Sequence, residues 1–121
     1  MRYRRDQFSS NGEVVAALEK LKAIRGDLQI QGDDEDTWII ASYDPDSGRY
    51  YVSTSLPIDE DYMEVFDPSL PHRRIEAVVG EQLVDAWEDA LVDFEIAKSA
   101  VLGFFAHQHR HQDCHCRVAK I

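Results

Sequence analysis

The chain has 121 residues, 44% of them apolar, and 23 acidic against 13 basic side chains give it a formal net charge of −10. That length closes one hydrophobic core and is short for two, so a single domain over residues 1–121 is expected. No window approaches the roughly 18–20 apolar residues of a membrane span, no apolar run follows the basic start MRYRRDQFSS to make a secretory leader, and the charge repels phosphate backbones. A cytoplasmic protein that binds neither membrane nor nucleic acid is therefore expected.

In chain order, SSNGEVVAALEKLKAIRGD has the punctuation of a helix over about residues 12–25. Ser10 and Glu13 have capping-box spacing, Val14, Leu18 and Leu21 repeat on one face, and Gly26 supplies the stop. LQIQ alternates as a short strand, and GDDED is a loop. TWIIASY and RYYVSTS, joined by DPDSG, read as a β-hairpin over about 37–55. YMEVF is a further strand, DPSLPHRR a proline-held loop, and IEAVV a β-branched run ending at Gly80.

From Glu81 the spacing turns helical. Leu83, Trp87, Ala90, Phe94, Ala97, Val101 and Phe105 form a stripe at i+3 and i+4 steps, which places Trp87 in the core. Asp93 is a natural N-cap, so 93–107 is expected as helix, while 81–92 stays open between helix and strand. The resulting class is α+β: an antiparallel sheet of about 4–5 strands against an N-terminal and a C-terminal helix, with a short final strand. Phe104 and Phe105 are the expected anchors of the closing helix.

Between Asp33 and Asp67 eleven carboxylates face a single cation, Arg49. Such a field attracts basic protein surfaces. The expected contact residues are Asp33, Asp34, Glu35, Asp36, Asp59, Glu60, Asp61, Tyr62 and Glu64. Trp38, Tyr43, Tyr50 and Tyr51 are further candidate anchors. A half-buried sheet favours Trp38 and Tyr51 as core residues, whereas Tyr62, among carboxylates, is expected to be exposed. No glycine-rich phosphate loop, nucleophile elbow or HExxH motif is present, and no enzymatic activity is expected.

The segment HQHRHQDCHC, residues 107–116, holds four of the five histidines and both cysteines. Thiolate and imidazole together suit zinc, and His107, His111, Cys114 and Cys116 make the candidate ligand set. The C-x-C and H-x-H spacings fit an extended strand better than the wider pairs that wrap a structural ion. A metal-free closing strand, with cysteine serving as a small apolar residue, is the expected state.

The stretch LVDFEIAKSAVLGFFAHQHRHQDCHCRV is similar to the closing segment of a family of bacterial immunity proteins that neutralise polymorphic toxins, many of them deaminases or nucleases. Val92, Asp93, Glu95, Ala100, Phe104, Phe105 and Arg110 follow the family's order of apolar residue, cap, glutamate, late alanine, terminal phenylalanines and turn arginine. His111 stands where the family tends to have proline, and Cys116 where its last strand carries tryptophan. The resemblance implies an immunity protein whose acidic surface occludes the substrate site of a cognate secreted toxin, itself basic, without a cofactor. The alternative is a small zinc-binding regulatory module built on the tail.

Overall fold

The computed structural model describes residues 1–24, 26–34, 36–55, 62–107 and 115–119. Helix α1 spans Asn11–Ile24. The Ser10 hydroxyl accepts the Glu13 N–H at 3.3 Å, and the Glu13 carboxylate reaches back to the Ser9 N–H at 2.7 Å, one residue beyond the reciprocal partner a capping box uses. Val14, Ala17, Leu18 and Leu21 form its buried stripe. Gly26, at φ 100°, takes the left-handed conformation that ends the element.

Strands β1 (Arg2–Arg4), β2 (Asp27–Gln31), β3 (Trp38–Asp44), β4 (Arg49–Ser55) and β5 (Tyr62–Phe66) lie side by side in chain order, and β9 (His115–Ala119) closes the far edge beside β5. All these pairings are antiparallel except β1 with β2. Strand β3 runs along one edge of β4; the other edge is shared by β5, opposite Ser53–Ser55, and by the two-residue β8 (Leu91–Val92), opposite Tyr50 and Tyr51. Helix α2, Phe94–His107, follows β8, with Asp93 accepting the Ile96 N–H at 2.9 Å as its cap.

Alternation divides the sheet into two faces. Leu28, Ile30, Ile39, Ala41, Tyr50, Val52 and Val65 point to one side, where they bury against Val14, Leu18 and Leu21 of α1 and Ala97, Ala100, Val101 and Phe104 of α2. Tyr51 points to the other side. There a second, smaller core of Ala77, Ala86 and Leu91 forms under a hairpin of β6 (Arg74–Val79) and β7 (Gln82–Trp87). Residues 82–87 are thus strand, followed by a 3-10 turn over Glu88–Ala90. Leu83 and Trp87 belong to the hairpin and not to a helix, and Trp87 is half-buried.

The β6–β7 turn has Gly80 at φ 58° and Glu81 at φ 68°, the positive pair of a two-residue hairpin turn. Glycine takes that conformation without the Cβ penalty that a glutamate carries, so Glu81→Gly is expected to raise stability by about 0.5 kcal/mol. A urea midpoint that stays put or falls would show that Glu81 is not strained there.

Candidate protein-docking surface

The acidic candidates fall on two connections whose described ends lie at one end of the sheet. In the β2–β3 connection Asp34 folds a tight turn: its side chain accepts the Asp36 N–H and its carbonyl the Thr37 N–H, both at 3.0 Å. Asp33, Asp34 and Asp36 are thereby exposed, with Arg5 3.6 Å from Asp33. Ser55 and Tyr62, which bracket residues 56–61, face each other in register, and the Ser55 hydroxyl accepts the Trp38 N–H at 2.9 Å. Both acidic connections therefore start from the end of the sheet at which β3 begins. Glu35, Asp59, Glu60 and Asp61 lie outside the described residues.

Beside this end the Trp38 and Tyr62 rings meet with centroids 6.4 Å apart on the sheet face away from the helices. Tyr62 is half-buried against Trp38, where an exposed side chain was expected. Of the other candidate anchors, Tyr50 is fully buried, and Tyr43 packs on it with ring centroids 5.2 Å apart. Burial, with Tyr43 and Glu19 adding to it, pushes the Tyr50 hydroxyl up to about 12; among the described residues it has no hydrogen-bond partner.

Glu64 is a correction to the expected contact set. Only 7% exposed, it accepts the Tyr51 hydroxyl at 3.0 Å and the Arg117 Nε–H at 2.8 Å. Arg117 also donates two hydrogen bonds to the buried Asp89, at 2.7 and 3.0 Å, and His72 Nδ1 lies 2.9 Å from the same carboxylate. Hydrogen bonding to Arg117 holds the Asp89 carboxyl below its usual range. Burial first, then Glu64, pushes the Tyr51 hydroxyl up. These five groups satisfy one another and brace β9 to β5 and the 3-10 turn. Asp44 leaves the acidic face as well: it is 2% exposed and accepts from Ser47 Oγ, Asp46 N and Val78 N.

Two features were not singled out in the sequence. His72 stacks on Trp87 at 3.9 Å between centroids, and Arg74 lies 4.2 Å from the same ring. A cleft of about 350 Å³ opens at the start of α2 between Phe66, Asp67, Pro68, Asp93, Glu95, Ile96, Ser99 and His115; no member of the Arg117 network lines it.

In the tail, Cys116 is half-buried in β9 and packs on the main core, His107 ends α2 exposed, and His115 sits against the Phe66 ring. His111 and Cys114 lie outside the described residues. Among the described residues no three His, Cys, Asp or Glu side chains gather as a metal would require, and no helix is long and apolar enough to cross a membrane. Comparison with known proteins returned no match among family models, curated proteins or solved structures.

Proposed function

We propose that the protein is a cytoplasmic inhibitor of the immunity type, which binds a basic bacterial toxin domain and occludes its substrate site. The observation that carries this reading is the placement of exposed Asp33, Asp34 and Asp36 beside the half-buried Trp38–Tyr62 pair at one end of the sheet. An enzyme that acts on nucleic acid presents a positive groove, and carboxylates around an aromatic pair complement it. The charges steer encounter, and the aromatics slow dissociation once docked. The similarity of the closing segment to immunity proteins supports the same reading.

On this reading the gene directly upstream is expected to encode the toxin domain, and that product is the partner used in the test. With Asp33→Lys, Asp34→Lys and Asp36→Lys combined, association is expected to slow by about tenfold or more and to lose its steep salt dependence. The thermal midpoint should move little, because exposed charges contribute at most about 1 kcal/mol each. Stopped-flow mixing over a salt series reads the effect. Unchanged kinetics in the triple variant would remove this surface from the complex.

A further inference from the structure

The β6–β7 hairpin has one face in the second core and one face that no element among the described residues covers. On the uncovered face the register stacks three cross-strand pairs: Val78 opposite Leu83, Glu76 opposite Asp85, and Arg74 opposite Trp87. Leu83 is 67% exposed, the most of any large apolar residue described. Glu76 and Asp85 are both exposed, and neither makes an ion pair or side-chain hydrogen bond among the described residues. Like charges directly opposite each other in a hairpin repel. Arg74, two residues from Glu76 on the same face, lies over the Trp87 ring and makes no ion pair with that carboxylate.

We infer that this face is a docking surface for an extended basic segment of a protein partner, with a lysine or arginine of that segment seated between Glu76 and Asp85. Charge complementarity selects the occupant. One cation there relieves a repulsion that no described side chain of the hairpin offsets in this structure. Its methylene stem would cover Val78 and Leu83, while the segment's next outward side chain would reach the edge of the Arg74–Trp87–His72 stack. The surface is distinct from the acidic end of the sheet. It rests on the inhibitor reading only for the owner of the segment, the same basic toxin.

The full chain, isotope-labelled, is titrated with a short synthetic peptide in which lysine and valine alternate, and amide shifts are mapped. Shifts centred on residues 74–87 are expected, and Glu76→Gln with Asp85→Asn should weaken the peptide about tenfold while raising the thermal midpoint by about 1–3 °C as the repulsion is removed. Leu83→Ser should also weaken it, with the fold intact. Shifts centred elsewhere, such as on residues 33–38, or an affinity indifferent to the amide pair, would overturn the proposal. The upstream toxin domain supplies the second arm. Toxin binding equal in wild type and amide variant overturns the hairpin surface and leaves the inhibitor reading standing; a toxin that fails to bind wild type, with the peptide still seated on the hairpin, overturns the inhibitor reading alone.

Discussion

Phe104→Ala is expected to cost about 3–5 kcal/mol, a large part of the roughly 5–15 kcal/mol that holds a domain of this size together. Phe104 is 1% exposed and sits where α2 meets α1 and the sheet, among the residues of the main core. Removing its ring takes away the burial energy and leaves a cavity that close-packed neighbours cannot fill. The adjacent Phe105, the expected anchor on the helical stripe, is only half-buried: it meets Phe8 edge-on at 6.2 Å, and Arg5 lies 5.9 Å above its ring. Arg5 also donates to the Phe105 carbonyl at 2.6 Å, a bond that alanine would keep. Phe105→Ala should therefore cost less, about 1–3 kcal/mol. Urea denaturation of the two variants decides the order, and a larger loss at Phe105 would show that the stripe, not the burial, had named the anchor.

What separates the legible elements from the others is how far apart their determinants lie in the chain. Helix α1 carries its cap, its apolar repeat and its glycine stop within 17 residues, Ser10 to Gly26, and strands β3 and β4 carry both alternation and turn. Residues 82–92 conceal theirs. Leu83, Trp87 and Ala90 fall at helical steps that run on into Phe94, while the strand alternation is faint because the inward side of β7 holds Gln82 with the small Val84 and Ala86, and the outward side keeps two large apolar residues in partial contact with solvent. Strand β1 has three residues, too few for any period to show. The acidic run is split by partners invisible locally: Glu64 finds Arg117 53 residues later, and Asp44 finds the Val78 N–H 34 residues later. The joining of the two acidic connections at one end of the sheet depends on the Ser55–Tyr62 register, which becomes readable only once β4 and β5 are known to pair.

Arg117→Met is the substitution that tests whether those distant partners matter. The arginine stands between two buried carboxylates, bonding Glu64 at 2.8 Å and Asp89 at 2.7 Å, with side-chain exposures of 9% and 6% for the two acids. Methionine keeps the apolar stem and removes the charge, so two carboxylates remain facing each other without their shared cation. Breaking a buried pair from one side costs about 3–5 kcal/mol, more than the intact pair contributes, because the desolvation penalty of the remaining charge is no longer offset. Since the pairs anchor β9 to β5 and to the turn after β7, the loss should appear first as fraying of residues 115–119 in amide exchange. The pH dependence gives the sign. In the wild type the Asp89 carboxyl is held below its usual 3.8 by Arg117, so its contribution is fully present above that value and is lost as pH falls through the lower, folded-state value. In the variant Asp89 loses that hold, and the burial that disfavours its charged form is no longer offset by Arg117. The stability gap between the two proteins should therefore be widest near neutrality and narrow on acidification below about pH 4. A gap that stays constant from pH 7 to about pH 3 would mean that Arg117 acts through packing alone, and the electrostatic account of the closing strand would have to be given up.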